Sequence, residues 1–352
     1  MKKIKVLFCG DDVNNKFSFA YYFFSILKKY YEVELSDNPD YVFYNDSSYE
    51  HLKYDCIKIF YTGENIHPNF NFCDYAISFD YLDFADRHYR LPLYLVTIFY
   101  NQKEIEHAGD TDFITPIIIT KKDLEKKTEF CSFVYSNYLA DETRKIFFNK
   151  LNQYKKVNAG GKYLNNIGKR IKNKLEFETT HKFSIAFENS SRSGYTTEKI
   201  VNSLAAKTIP IYFGNPDIHK EFNEKRFINC HRYSNFDEVI EKIKEIDNND
   251  DLYLSTVNQP ATIPEYNFKE TRENFETFLR HIMDQPLDSA KRIKINPAKL
   301  AGLIKNERKI SELTKSVARR KKWLALIYQP FKKIKFLEDV KHRYFHNKLL
   351  NK

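Results

Sequence analysis

Eight short runs rich in β-branched and aromatic residues recur through the first 213 residues of the chain. They are Lys3–Phe8 (KIKVLF), Tyr31–Leu35, Tyr41–Tyr44, Cys56–Thr62 (CIKIFYT), Tyr75–Phe79, Phe130–Ser136 (FCSFVYS), Phe183–Phe187 and Thr208–Phe213 (TIPIYF). Between and after them, Phe17–Lys29, Asp141–Gln153, Thr196–Ala206, Phe236–Glu245 and Phe268–Met283 carry apolar residues at helical spacing. Strands alternating with helices predict an α/β chain with mainly parallel sheets covered on their faces. The polar, lysine-rich stretch Thr120–Thr128 (TKKDLEKKT) interrupts the alternation and is read as a domain boundary, and Asn158–Lys162 (NAGGK) is read as a turn. At 352 residues the chain is long enough for two cores. The expected division is a domain at 1–122, a second at 129–285, and a tail at 286–352.

The cysteines, Cys9, Cys56, Cys73, Cys131 and Cys230, are odd in number and lack the short spacing of a zinc or redox pair, which points to a reducing compartment. The opening MKKIKVLFCGDD turns acidic after a short apolar run, so a signal peptide is not expected, and no run approaches the roughly 20 apolar residues of a membrane span. Charge is uneven. Residues 291–352 carry 19 Lys and Arg against 4 Asp and Glu, whereas the remaining 38 basic residues are outnumbered by 43 acidic ones. A basic tail on an acidic body argues against a nucleic-acid-binding protein, whose cations should follow the clefts of the body.

Between the strand Phe183–Phe187 and an apolar helix face at Ile200, Val201, Leu204 and Ala205 lies FENSSRSGYTTEKI, Phe187–Ile200. In an open α/β sheet this loop falls at the carboxyl end of a strand, where ligands bind. A helix start offers unpaired N–H groups and partial positive charge to a phosphate. Lys199 would add a formal charge, Glu198 suits the hydroxyls of a ribose, and Tyr195 offers a ring and a phenol. By residue type alone the ordinary reading is a capped helix, with Thr196 or Thr197 as cap, Glu198 as a first-turn dipole partner and Asn189-Ser190 as a turn. The G-x-G-x-x-G and Walker patterns are absent.

The ordered set FENS, GYTTEKI and TIPIYFGNP resembles the donor-binding signature of the α1,3-fucosyltransferase family, and YTGENIHPNFNFCDYAISFDYLDFADRHYRLPLY (Tyr61–Tyr94), FCSFVYSN and VNAGGK resemble further landmarks of its bacterial branch. The resemblance covers roughly residues 60–285. It implies a GT-B fold, with two facing Rossmann-like domains: an acceptor-binding N-terminal domain, a GDP-sugar-binding C-terminal domain, and the active site in the cleft. By matching motif positions it places Asn189, Tyr195, Glu198 and Lys199 on donor-contacting positions and Arg144 on the family's phosphate-binding arginine. Glu64, in the TGEN turn after CIKIFYT, matches the family's proposed general base, although its residue type alone suits an exposed turn.

The activity so implied is inverting transfer of L-fucose from GDP-β-L-fucose to the 3-hydroxyl, or 4-hydroxyl, of GlcNAc or Glc in an N-acetyllactosamine-like surface glycan. No obligatory metal or other cofactor is expected. The aspartates of FDYLDFAD (Asp80, Asp83, Asp86) fall in the acceptor half, and Lys and Arg suffice in this fold type to neutralise a leaving diphosphate. A GT-B enzyme using another sugar nucleotide is the alternative. Related bacterial sequences carry a polar residue or a second acid after GEN, where this chain has Ile66 and His67, so the acceptor side is expected to differ. His67, His88 and His219 are expected to be supporting or surface residues.

The tail sequence ARRKKWLALIYQPFKKIKFL sets cations beside the single tryptophan and a run of aliphatic and aromatic residues. That composition suits an anionic membrane surface, at about 1 kcal/mol per cation, with Trp at the interface. A solvated helix folded back on the acidic body and an RNA-binding arm are the alternatives. The expected location is cytoplasmic, peripheral at the inner face of the membrane through residues 291–352.

Overall fold

The computed structural model describes residues 1–16, 18–104, 118–137 and 140–328. Residues 1–293 form one compact unit and residues 294–352 a second. Within the first unit, β1 (Lys3–Cys9), β2 (Glu32–Leu35), β3 (Tyr41–Tyr44), β4 (Ile57–Tyr61), β5 (Tyr75–Ser78) and β6 (His88–Arg90) form one sheet in the order β2-β1-β3-β4-β5-β6. A second sheet, in the order β11-β10-β9-β7-β8, contains β7 (Glu129–Phe133), β8 (Val157–Ala159), β9 (His181–Phe187), β10 (Ile209–Phe213) and β11 (Ile228–Asn229). Every strand pairing in both sheets is parallel.

Helices lie between and after the strands, some of them as the crossovers that parallel pairing uses. They are α1 (Phe19–Tyr30), α2 (Leu93–Glu104), α3 (Lys121–Leu124), α4 (Thr143–Tyr154), α5 (Lys174–Thr179), α6 (Glu198–Ala205), α7 (Phe236–Asp247), α8 (Asp250–Val257), α9 (Phe268–Asp284) and α10 (Leu287–Ala290). Ser18 starts α1 by accepting the Tyr21 N–H at 2.9 Å. Phe17, which the sequence pattern included in this helix, lies outside the described residues.

All eight expected strands form, and three more were not anticipated. Val157–Ala159 is strand β8 rather than part of a turn, and β6 and β11 span only three and two residues. Runs that short carry no measurable period. The stretch 120–128 contains a capped single turn of helix, with Thr120 and Asp123 bonding reciprocally. Its Lys127 is buried, donates to the carbonyls of Thr179, His181 and Ala206, and has its ammonium pushed down to about 7 by burial.

The two sheets are joined by packing. One apolar cluster runs from β1, β3 and β4 through α2 to α6, Tyr212 and Phe222 of the second half. Ile200, Val201 and Leu204 of α6 are at most 3% exposed, and each contributes roughly 1.5–3 kcal/mol of burial. Helix α9, which follows the second sheet in sequence, returns to the first half: Phe275 stacks on Tyr22 of α1, with centroids 6.0 Å apart. Beyond it, the backbone N–H groups of Arg292 and Ile293 donate to Asp74, and Lys291 pairs with Asp55. The start of the basic stretch is thereby fixed to acidic groups of the first half.

The topology marks where ligands belong. In the second sheet the strand order reverses between β7 and β9, and in the first between β1 and β3. Crevices at the carboxyl ends of such strands are the binding positions of open α/β sheets. The loop Glu188–Thr197 follows β9 and α4 follows β7, so both flank the reversal.

The second unit contains α11 (Pro297–Tyr328). Among the described residues, no helix is long and apolar enough to cross a membrane. Of the apolar residues noted in the tail, Phe331, Ile334, Phe336 and Leu337 lie outside the described residues.

Candidate active site

Strand β9 delivers Glu188 into the protein interior, where it is 2% exposed. Its carboxylate accepts the Thr197 N–H at 2.8 Å and the Thr197 hydroxyl at 2.7 Å, and pairs with the Lys199 ammonium at 3.0 Å. Thr197 is the N-cap residue of α6, yet its side chain makes no capping bond. Thr196 is engaged too, its hydroxyl accepting from the Asn215 amide at 3.1 Å. A buried glutamate therefore takes the cap residue's own N–H and hydroxyl, not the N–H groups further into α6 that a capping threonine would accept. It thereby occupies one of the helix-start N–H groups.

Lys199 is the cation of this arrangement. Besides Glu188 it reaches the Thr197 hydroxyl at 2.7 Å and Glu198 at 3.5 Å. Burial pulls its pKa down, but Glu188 and Glu198 outweigh burial and hold it above the ordinary lysine value. For Glu198, burial pushes the pKa up, and Lys199 and Lys174 outweigh it, so the carboxyl stays below its usual range. Both groups are therefore charged at neutral pH, at the carboxyl end of β9.

Arg144, in the first turn of α4, is 1% exposed. Its Nη2 donates to the Phe187 carbonyl at 2.8 Å and to Asn189 Oδ1 at 2.9 Å, and the guanidinium lies 4.1 Å over the Tyr135 ring. Gly161 permits this support, because a Cβ there would come within 2.0 Å of the Tyr135 carbonyl oxygen. The remaining nitrogen, Nη1, is buried with no hydrogen-bond partner among the described residues. A buried guanidinium N–H left unbonded costs free energy unless a ligand takes it.

Glu64 stands at the carboxyl end of β4 on the opposite half. Its backbone is fixed by a turn in which its N–H donates to the Thr62 hydroxyl at 3.0 Å and its carbonyl accepts the Ile66 N–H at 2.8 Å. The carboxylate reaches solvent and has no hydrogen bond among the described residues. Surrounding protein pushes its pKa up, Asp46, Glu198 and Glu188 push the same way, and Lys199 opposes them. It thus senses the charges of the α6 loop across the gap.

The neighbouring Asn65 bridges the two halves, donating to the Ser190 hydroxyl and accepting from Arg192 Nη1 at 2.7 Å. Gly194 allows a close approach of the halves. It sits at φ +80°, and a Cβ there would lie 2.4 Å from the Phe79 carbonyl oxygen. Only glycine accepts that backbone and that approach.

Residues 4–100 match the alpha-(1,3)-fucosyltransferase FucT N-terminal domain, and residues 124–278 match the glycosyltransferase family 10 (fucosyltransferase) C-terminal region. A crystal structure described as alpha1,3-fucosyltransferase with GDP-fucose superposes with a TM-score of 0.62 at 32% identity, covering 79% of this chain and 91% of that one. The chain belongs to glycosyltransferase family 10, the fucosyltransferases. Its two facing parallel α/β halves are the GT-B fold that the resemblance implied.

Among curated family members, the alpha-(1,3)-fucosyltransferase FucT of Helicobacter pylori is 37% identical over 273 residues, 70% of this chain and 57% of that protein. The human 4-galactosyl-N-acetylglucosaminide 3-alpha-L-fucosyltransferase 9 is 29% identical over 142 residues, 39% of this chain and 38% of that protein. The chain thus spans little more than half the length of the Helicobacter relative.

Of the residues singled out from the sequence, Arg144, Asn189, Glu198 and Lys199 gather around the reversal between β7 and β9. Tyr195 is 1% exposed, with its ring edge-on to Phe79 at 5.1 Å. Glu64 faces this group from the first half. Asp80 joins neither carboxylate partner of Lys199; it binds His67 Nδ1 at 2.6 Å and lies 3.9 Å from Arg192. His88 is held between the Ser78 hydroxyl and the Leu82 carbonyl. Glu188, Asn65 and Arg192 were not singled out. Glu188 was visible as the acid directly preceding Asn189, but only its burial shows that it turns inward.

Proposed function

We propose that this family 10 member transfers L-fucose from GDP-β-L-fucose to the 3-hydroxyl, or 4-hydroxyl, of GlcNAc or Glc in an N-acetyllactosamine-like surface glycan. The observation that carries the reading is a carboxylate, Glu64, and a buried guanidinium nitrogen, Arg144 Nη1, each without a hydrogen bond among the described residues and carried by opposite halves of the fold. Arg144 and Lys199 hold the diphosphate, and Glu198 accepts from ribose hydroxyls. Asn189 orients Arg144 through the 2.9 Å bond, and Tyr195 closes the wall behind the sugar.

In the reaction the acceptor oxygen bonds to the anomeric carbon as the bond from that carbon to the β-phosphate oxygen breaks. The electron pair leaves with GDP, whose growing charge falls to Lys199 and Arg144. The acceptor proton passes to Glu64. Attack from the face opposite the leaving group inverts the centre, so a β-linked donor yields an α-fucoside. In this reading no metal or other cofactor is required, because two fixed cations meet the leaving group.

The basic tail places the enzyme at an anionic membrane surface on the cytoplasmic side, near lipid-linked acceptors. The test of the activity is transfer and hydrolysis measured over a panel of nucleotide sugars, with Galβ1,4GlcNAc-type and Galβ1,3GlcNAc-type acceptors. GDP-fucose should be preferred. A preference for any other donor overturns the proposal.

A further inference from the structure

Arg192 lies between the FENS and GYTTEK blocks and belongs to neither. Its Nη1 donates to Asn65 Oδ1 at 2.7 Å, its Nη2 lies 3.9 Å from Asp80 Oδ1, and its guanidinium stands 5.4 Å from the centre of the Phe79 ring. All three partners belong to the first half. Its own backbone N–H is anchored in the second half, donating to the Gly214 carbonyl at 3.2 Å. One residue therefore spans the cleft with both ends held.

Asn65 directly follows Glu64. With both amide ends engaged, by Ser190 and Arg192, it has little freedom to rotate. The turn that carries Glu64 is consequently tied to the loop that carries Lys199. The surrounding contacts reinforce the tie: Arg90 donates to the Phe79 and Gly194 carbonyls at 3.0 and 3.3 Å, and pairs with Glu221 through both of its terminal nitrogens.

We propose that Arg192 is a positioning residue that, through Asn65, sets the distance between the Glu64 carboxylate and the Lys199 cation. This rests on Glu64 acting as the base. Arg192 itself touches neither donor nor acceptor proton. Binding of GDP, which needs only the second half, should not depend on it, whereas the alignment of base and anomeric carbon should. An error of an ångström in such an alignment can cost about 10²-fold in rate.

The experiment uses the full chain with GDP-fucose and an N-acetyllactosamine acceptor, comparing Arg192→Gln, Arg192→Lys, Asn65→Ala, the Asn65→Ala/Arg192→Gln double variant and Glu64→Gln. The expected result is a large fall in kcat for Arg192→Gln and Asn65→Ala with the GDP Kd unchanged by calorimetry. The double variant should lose no more than the worse single one, because both cut the same tie. Arg192→Lys, which keeps the charge but not the fork, should recover part of the rate. Losses that multiply in the double variant, or a GDP Kd that rises in step with the loss of rate, overturn the proposal. An undiminished rate in Glu64→Gln overturns the base reading, and with it the reason for the positioning, whatever the coupling of Asn65 and Arg192.

Discussion

Replacing Glu188 with Gln changes one atom at the centre of the candidate site and should be felt in two ways. At 3.0 Å the ammonium and carboxylate attract by about 5.5 kcal/mol at an effective dielectric of 20, before the cost of desolvating either. Removing one partner of a buried pair typically costs about 3–5 kcal/mol. Gln keeps the volume and one acceptor for Thr197, so the expected loss is about 3 kcal/mol, at the lower end of that range.

The second effect is on Lys199, whose pKa Glu188 helps to raise against burial and the nearby Arg144. Because the folded value lies above the ordinary 10.5, the stabilisation from this charge is complete below that value. It is lost only as pH rises through the raised folded value. Without Glu188 the folded value falls and the loss moves to lower pH. Thermal unfolding and GDP calorimetry from neutral pH to about pH 10, near the ordinary lysine pKa, should show a lower midpoint and a steeper alkaline fall in affinity. A Gln variant that melts like the parent and keeps its pH dependence would refute the assignment of Glu188 as the partner of Lys199.

Glu64→Gln should abolish transfer while GDP still binds. Because its folded pKa is raised, ionising Glu64 costs stability as pH rises through that value, so the Gln variant should melt no lower than the parent at neutral pH. In the parent, the acid limb of kcat/KM should lie above the ordinary glutamate value of 4.5, and a limb at or below it would remove Glu64 as base. Arg144→Ala and Lys199→Ala should each weaken GDP binding itself, measured by calorimetry; unchanged affinity in either would remove that residue from the diphosphate site. Gly194→Ala should cost about 1–3 kcal/mol from the left-handed backbone, with a further loss of activity as the Phe79 carbonyl is displaced; unaltered melting and rate would refute the close approach. Deleting residues from Lys291 onward should release the protein from membranes on cell fractionation, and a truncated form that still pellets with them would defeat the membrane reading of the tail.

The sequence by itself determined the class of fold and most of one wall of the site. Strand runs such as CIKIFYT and TIPIYF are long enough to show their pattern, and the helix face Ile200, Val201 and Leu204 repeats at the period that burial requires. The motif order brought Arg144, Asn189, Glu198 and Lys199 to attention. Tertiary structure decided what those residues face. Nothing local shows that Glu188 points inward to take the helix-start N–H, since an acid beside a turn is ordinarily solvated. Asn65 and Arg192 lie 127 positions apart, and no periodicity reports contact over that distance. The return of α9 to the first half has the same origin: its apolar stripe says that it must be buried, but not against which sheet. Local patterns encode which faces leave water. Which buried faces meet is settled only when all of them compete for one another.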